Sequence, residues 1–134
     1  MSNPTEGTAG RNVLVIDDDP LFCALAVGLL ELQGLQGIVA PDGALAVEMV
    51  RDRGQEIEAV LVDYSMRPMN GRKILAQIHA LRPGLPVVMM SGSAKEDLPD
   101  AAAQAAFPGF LEKPFSSEAL MEAIQSARAA AQPR

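Results

Sequence analysis

Five polar residues stand where short apolar runs of this sequence end, and their types are those of a phosphoryl-transfer site. They are Asp17, Asp18, Asp63, Ser91 and Lys113. Three carboxylates in one crevice repel each other, and a hard divalent cation such as Mg²⁺ removes that cost. The lysine adds a compensating positive charge, the serine adds a hydroxyl donor, and a carboxylate can be the nucleophile that forms an acyl phosphate. The set therefore predicts Mg²⁺-dependent phosphoryl transfer if the fold brings these residues together.

The apolar runs before these residues are typical of strands buried on both faces of a parallel sheet. Their apolar residues are continuous, whereas those of a half-exposed strand alternate with polar ones. Strands are predicted at Val13–Ile16, Gln36–Ala40, Ala59–Val62, Pro86–Met90 and Phe110–Glu112. Ligands of open parallel sheets gather at the carboxyl ends of the strands, so the polar residues are expected in one crevice.

Helical stretches alternate with these runs. They are predicted from Pro20 to about Leu32, from Gly43 to about Arg53, from Asn70 or Gly71 to Leu81, from Asp97 to Ala106, and after Ser116 or Ser117. Asp19 and Asp42 are suitable N-cap residues for the first two helices, and Gly34 stops the first. Five strand–helix pairs in sequence imply an α/β fold with a parallel sheet and right-handed crossovers.

Length and composition fit a single globular domain. The chain has 134 residues, of which 49% are hydrophobic and 21% are charged. The net charge of −6 argues against nucleic acid or an anionic membrane as the main partner. Cys23 is the only cysteine, which excludes a disulfide framework and a cysteine-ligated zinc or iron–sulfur site.

The termini and the absence of long apolar runs suggest a cytoplasmic protein. No charge-free run approaches the ~20 residues that span a bilayer. The polar N-terminus has no signal-peptide pattern. We expect residues 1–10 to be a disordered lead-in, residues 11–131 to be the domain, and residues 132–134 to be a frayed tail.

Four motifs together resemble the receiver domain of bacterial two-component response regulators, in particular the stand-alone type similar to chemotaxis regulators. They are Val13–Pro20, Leu61–Asp63 with Gly71 eight positions after Asp63, Val88–Gly92, and Phe110–Phe115. Each motif is weak alone, but their order and separations are specific, and the resemblance covers Asn12 to Ala130. It implies a doubly wound, five-stranded parallel sheet of flavodoxin-like order 2-1-3-4-5 with helices on both faces.

The resemblance also implies roles for the acidic residues. Asp63 corresponds to the phosphoacceptor. Asp17 and Asp18 correspond to the acidic pair that holds Mg²⁺, Asp18 directly and Asp17 through water. The backbone carbonyl of Ser65, two residues after Asp63, would be a further ligand of the metal.

Three more positions match switch and phosphoryl-binding residues of the family. Ser91 corresponds to the hydroxyl residue that moves to bind the phosphoryl group, and Phe110 to the aromatic residue that turns inward on activation. Lys113 would pair with a phosphoryl oxygen, and the Lys113–Pro114 peptide bond is expected to be cis.

Two positions in the loops near the site are expected to modulate the reaction. The family usually has proline four residues after the phosphoacceptor, where this chain has Arg67, with the proline at Pro68. We expect Arg67 to alter phosphoryl lifetime or partner choice. Ser93, two residues after Ser91, stands where family members differ and where the residue influences the attacking water.

By this resemblance the chain accepts a phosphoryl group from a histidine kinase or a histidine phosphotransfer protein and signals by protein–protein interaction. It would catalyse only its own phosphorylation and dephosphorylation, and its downstream target is an unknown protein. We expect no DNA-binding or enzymatic output domain after the last predicted helix.

Other functions share parts of the pattern. A degenerate receiver would bind partners without being phosphorylated. Asp17-x-Asp19 superficially resembles haloacid dehalogenase-type phosphatases, but Pro20 and Leu21 do not match the rest of that motif and no second acidic pair follows Lys113. A flavodoxin-like flavin binder is disfavoured because the chain has no tryptophan and one tyrosine, Tyr64.

The first predicted helix is unusual because residues 21–30 carry no charge. One interpretation is tight burial with only small residues exposed, and the other is a docking surface for the helix bundle of a kinase or phosphotransferase, as in the family. Cys23 within it is expected to be a small core residue. His79 is expected on the exposed flank of the third helix rather than in a phosphohistidine relay.

Overall fold

The structure is a computed structural model that describes residues 12–66, 69–92 and 109–131. The strands are β1 (Asn12–Ile16), β2 (Gln36–Ala40), β3 (Ile57–Asp63), β4 (Val87–Ser91) and β5 (Gly109–Glu112). The α-helices of the described residues are α1 (Pro20–Leu32), α2 (Gly43–Arg53), α3 (Gly71–Leu81) and α4 (Ser117–Ala131), and a 3₁₀ turn (Gly54–Glu56) connects α2 to β3.

The five strands form one parallel sheet in the order β2-β1-β3-β4-β5, which confirms the predicted fold. The chain enters at β1, winds outward to β2, and then crosses back to β3 on the other side of β1. The strand order therefore reverses between β1 and β3. A crevice at the carboxyl ends of these two strands is the usual ligand site of such sheets.

The central strands β1, β3 and β4 are buried on both faces, as their continuous apolar runs predict, whereas the edge strand β2 is only partly buried. On β1, Leu14 and Ile16 pack into a cluster with residues of α2 and α3. Val13 and Val15, which point to the other face, pack with residues of α1 and α4. Successive side chains of a strand alternate between faces, so a strand covered on both sides is apolar throughout.

The helix starts follow the predicted capping residues. The Asp19 carboxylate accepts hydrogen bonds from the first-turn amides of α1, and the Asp42 carboxylate accepts one from Leu45 N–H at 2.7 Å. Asn70 caps α3, and the Ser116 hydroxyl accepts a hydrogen bond from the first turn of α4. Each cap satisfies an amide that lacks a partner within the helix.

The element bounds differ from the predictions mainly at β3. The strand begins at Ile57, two residues before the predicted start, because Glu58 interrupts the apolar run but still belongs to the strand. The Glu58 carboxylate is paired with the Arg128 guanidinium of α4 at 2.6 Å. The predicted helix over 97–106 and the predicted terminal segments 1–10 and 132–134 lie outside the described residues.

α1 ends just before Gly34, as predicted. Gly34, just after the helix, has a φ of 79°, the left-handed conformation that glycine adopts without strain.

Within residues 12–66, 69–92 and 109–131, no helix combines the length and the apolar character required to cross a bilayer.

Gly71 allows the start of α3 to lie against the end of β3, next to the predicted phosphoacceptor. A Cβ at position 71 would stand 2.7 Å from Tyr64 Cα and 2.9 Å from the Asp63 carbonyl oxygen, both backbone atoms. At Gly28 of α1, by contrast, a Cβ would meet nothing within 4 Å.

These two glycines give a matched prediction on stability. Gly71→Ala should lower the free energy of unfolding by about 1–3 kcal/mol, because the backbone of β3 must shift. Gly28→Ala should raise it by roughly 0.5–1 kcal/mol, because alanine loses less conformational entropy in an exposed helix. Urea denaturation of both variants checks this, and a neutral Gly71→Ala would contradict the close approach.

Candidate functional site

The carboxyl ends of β1 and β3 bring three acidic side chains together. One carboxylate oxygen from each of Asp17, Asp18 and Asp63 lies within 4.8 Å of the others. Asp17 and Asp63 are buried and Asp18 is exposed. These three residues, called the acidic triad below, have the oxygen ligands and spacing that a hard divalent cation requires.

Lys113 supplies the positive charge that this arrangement needs. Its Nζ lies 2.6 Å from Asp17 Oδ2 and 3.6 Å from Asp63 Oδ1. The lysine follows β5 directly, and its backbone N–H donates to the Ser91 carbonyl oxygen at 2.8 Å. The Lys113–Pro114 peptide bond is cis, as the sequence resemblance implies. One cation thus faces two buried carboxylates.

Asp63 is a buried member of the acidic triad whose hydrogen-bonding capacity is not filled. Within the described residues, its Oδ1 is a buried side-chain oxygen with no hydrogen-bond partner. Its Oδ2 lies 3.5 Å from the Ser65 hydroxyl, which donates to it. Burial raises the pKa of the Asp63 carboxyl above its usual 3.8, and the positive charge of Lys113 offsets part of that rise. The ionised carboxylate is therefore held at a cost in free energy.

The other two acids differ in how firmly they are held. Asp17 accepts the Asp19 backbone N–H on Oδ1 at 3.0 Å and Lys113 on Oδ2, so both of its oxygens are engaged. Within the described residues, no hydrogen bond or ion pair holds the exposed Asp18 carboxylate. Asp18 is therefore the acid with oxygens available for a new ligand.

Ser91 lies at the carboxyl end of β4, beside the acidic triad. Its neighbour Met90 is paired with Asp63 in the sheet register, and Ser91 itself is paired with Glu112 of β5. The Ser91 side chain is completely buried. Its position between the strand of Asp63 and the strand that leads to Lys113 brings it to the same edge as the other predicted site residues.

Phe110 does not belong to this group of side chains. Phe110 of β5 is partly buried and packs against the core cluster shared by β1, β3, α2 and α3. Arg67 and Ser93 lie outside the described residues. The structure thus places the predicted acids, Ser65, Ser91 and Lys113 at one edge of the sheet.

Two aromatic residues at the site were missed by the sequence reasoning. Lys113 Nζ lies over the ring of Phe22, 4.1 Å from the ring centre. Phe115 contacts the same ring edge to face, with centres 5.7 Å apart and planes at 77°. Phe22 stands in the first turn of the helix that follows Asp17 and Asp18, and this position is the signal that could have identified it.

Cys23 and His79 are where the sequence analysis expects them. Cys23 is buried, and its thiol donates to the Asp17 carbonyl oxygen at 3.3 Å. Burial, reinforced by the negative charges of Asp17 and Asp19, raises the pKa of the thiol to about 11. Such a thiol is unreactive at neutral pH. His79 is exposed in the last turn of α3.

A groove of about 420 Å³ lies at the opposite edge of the sheet, before β3, and three arginines contribute to its lining: Arg51, Arg53 and Arg82. Arg51 is paired with Asp52, and Arg53 with Glu56. All three arginines stand at helix C-termini, where a cation stabilises the helix dipole. The charges of this groove therefore have a structural explanation.

Comparison with known sequences agrees with this geometry. Residues 13–125 match the family described as the response regulator receiver domain. The chain is 31% identical over 118 residues to the transcriptional regulatory protein GlrR of Escherichia coli strain K12. That match covers 87% of this chain and 26% of GlrR, so the chain spans about a quarter of this relative.

Comparison with solved structures gives the same result. The receiver domain protein from Clostridium thermocellum has a TM-score of 0.77 at 25% identity, with 90% of this chain and 95% of that chain covered. CheY of the CheX–CheY–BeF3–Mg complex from Borrelia burgdorferi has a TM-score of 0.74 at 26% identity, with 86% and 87% covered. Since the family model matches residues 13–125, which is most of the chain and includes the acidic triad, the chain belongs to the family of response regulator receiver domains.

Proposed function

We propose that this chain is a response regulator receiver domain that accepts a phosphoryl group on Asp63 in a Mg²⁺-dependent reaction. The donor is a phosphohistidine of a histidine kinase or of a histidine phosphotransfer protein, and the signal passes on by protein–protein interaction in the cytoplasm. The observation that carries the proposal is the buried Asp63 Oδ1, which has no hydrogen-bond partner within the described residues and lies 3.6 Å from Lys113 Nζ.

The chemistry is a nucleophilic displacement at phosphorus. A carboxylate oxygen of Asp63 forms the new P–O bond, the P–N bond of the phosphohistidine breaks, and the imidazole nitrogen keeps the electron pair. Lys113 is close enough to pair with the incoming phosphoryl oxygens. The protein is itself the acceptor, so we do not class it as an enzyme. It catalyses only its own phosphorylation and dephosphorylation.

The residues present fit a bound Mg²⁺. Asp18 has free oxygens, Asp63 has an unsatisfied one, Asp17 is close to both, and the Ser65 carbonyl follows in the same loop. Bound Mg²⁺ would neutralise the negative charge that the acceptor and the phosphoryl group bring together. The related Borrelia protein was solved in a complex that contains Mg²⁺.

Ser91 and Phe110 are proposed to convert phosphorylation into a change of shape. A phosphoryl group carries about two negative charges near neutral pH and attracts hydroxyl and ammonium donors. Ser91 lies between the strands of Asp63 and Lys113, and Phe110 precedes Lys113 by three residues in the same segment. A shift of both residues on phosphorylation would alter the surface near β5 that a target protein contacts.

The donor is proposed to dock on α1. Leu21, Leu25 and Leu32 are 82%, 47% and 74% exposed, and their spacing places them on one stripe of the helix. The interpretation of residues 21–30 as tightly buried with only small residues exposed is therefore wrong for Leu21 and Leu25. The stripe begins next to the acidic triad, so a helix bundle packed on it could present a phosphohistidine to Asp63.

Phosphorylation from a small-molecule donor tests the central residue. Incubation with acetyl phosphate and Mg²⁺ should add one phosphoryl group to the wild-type protein, and Asp63→Asn should abolish this gain because the nucleophile is lost. Intact-mass spectrometry measures both. Asp52→Asn, an exposed acid at the far end of α2, is the matched control and should be phosphorylated like the wild type.

The same experiment, together with a phosphatase assay, separates the alternative functions. A folded wild-type protein that gains no phosphoryl group would be a degenerate receiver that acts as a binding module, and the proposal would be wrong. Continuous turnover of p-nitrophenyl phosphate would instead indicate a phosphatase of the haloacid dehalogenase type.

The buried charge of Asp63 also predicts a pH-dependent effect on stability. Its pKa is raised in the folded protein, so the unfolded chain ionises first and stability falls as pH rises above about 4. At neutral pH without Mg²⁺, Asp63→Asn should therefore raise the free energy of unfolding by about 1 kcal/mol. Below pH 4 the gain should vanish.

Urea denaturation across this pH range measures the effect. Excess Mg²⁺ should stabilise the wild-type protein more than Asp63→Asn and so reduce the difference between them. Asp52→Asn should show no comparable gain. An Asp63→Asn variant less stable than the wild type at neutral pH would contradict a destabilising buried charge.

A further inference from the structure

Lys113 is held by an aromatic ring as well as by carboxylates. Its Nζ lies 4.1 Å from the centre of the Phe22 ring, over the ring face. The same nitrogen lies 2.6 Å from Asp17 Oδ2 and 3.6 Å from Asp63 Oδ1. The lysine side chain is only 17% exposed. Its ammonium is thus surrounded by an aromatic face, two acids and little water.

The Phe22 ring is itself fixed. Its backbone belongs to the first turn of α1, where the amide of Phe22 lies 3.4 Å from the capping Asp19 carboxylate. Phe115, two residues after Lys113, packs edge to face against the ring. Both rings are partly buried against the core cluster between the sheet, α1 and α4. The Phe22 ring therefore has a defined position beside the flexible Lys113 side chain.

We propose that Phe22 is a positioning residue for Lys113, an inference that rests on the proposed phosphoacceptor function. A lysine ammonium is a compact charge at the end of a flexible four-carbon side chain, and it is strongly hydrated when it is exposed to water. A ring face attracts the ammonium and excludes water from it. The ring accepts no conventional hydrogen bond, so the N–H donors remain available for Asp17, for Asp63 and, after transfer, for a phosphoryl oxygen.

The arrangement explains how one lysine can serve two acids at different distances. Asp17 holds it closely at 2.6 Å, and the ring keeps it from turning away from Asp63, which is 3.6 Å distant. Without the ring, water can hydrate the ammonium and the side chain gains conformations. The fraction of molecules with Lys113 near Asp63 then falls, and the rate of phosphorylation falls with it.

Substitution of Phe22 tests this inference. With acetyl phosphate and saturating Mg²⁺, Phe22→Leu should be phosphorylated roughly three- to tenfold more slowly than the wild type, the factor expected for a partly buried cation–π contact. Phe22→Tyr, which keeps the ring face, should stay close to the wild-type rate. Met121→Leu, in the same core cluster, is the packing control and should also stay close.

Two further measurements separate positioning from packing. In the Lys113→Met background, Phe22→Leu should cause no additional loss of rate, because the ring then has no cation to position. In NMR spectra of the unphosphorylated protein, the ring current of Phe22 should shift the ε-methylene protons of Lys113 upfield. The shift should persist in Phe22→Tyr and disappear in Phe22→Leu.

The outcomes also distinguish this inference from the proposed function. Wild-type rates in Phe22→Leu, or an equal loss of rate with and without Lys113, would overturn the positioning role while phosphorylation of Asp63 stands. A wild-type protein that acetyl phosphate does not phosphorylate would overturn the proposed function. The NMR shift needs no phosphorylation, so its absence from the wild-type spectrum would overturn the ring–lysine contact in either case.

Discussion

The structure depends on the balance of charge around Asp63. Folding removes this carboxylate from water and places it beside the negative charge of Asp17. Both the burial and the neighbouring charge oppose its ionisation. Lys113 offsets part of the cost, but one oxygen of Asp63 still has no hydrogen-bond partner within the described residues. A site that is costly in the free protein gains stability from any ligand that supplies positive charge or binds that oxygen. We propose this gain as the physical basis of a phosphorylation-dependent switch.

The parallel sheet makes this balance possible because its strands end at one edge. Asp17, Asp63 and Lys113 are far apart in sequence, and each follows or ends a different strand. Strands buried on both faces hold the backbone firmly, and the loops after them carry the chemistry. The first turn of α1 lies at the same edge, and its exposed leucines form the surface on which we propose that a partner docks.

Most of the fold could be predicted because its signals are local. Continuous apolar runs marked the strands, and Asp19 and Asp42 marked helix starts that the structure confirms. The acids were found by type and position, but the contact of Lys113 with the Phe22 ring was not. That contact joins residues from opposite ends of the chain, and nothing in either segment alone shows that they meet. Glu58 was left out of its strand because it interrupts the apolar run, and its partner Arg128 lies 70 residues away in sequence.

The titration of Asp63 tests the central claim most directly. With the side-chain carboxyl carbons of aspartate labelled with ¹³C, NMR can follow this group across the acidic range with and without Mg²⁺, and Asp63→Asn identifies its signal. Our account predicts a pKa above 3.8 in the metal-free protein and a clear fall when Mg²⁺ is added. An ordinary pKa that Mg²⁺ leaves unchanged would contradict it.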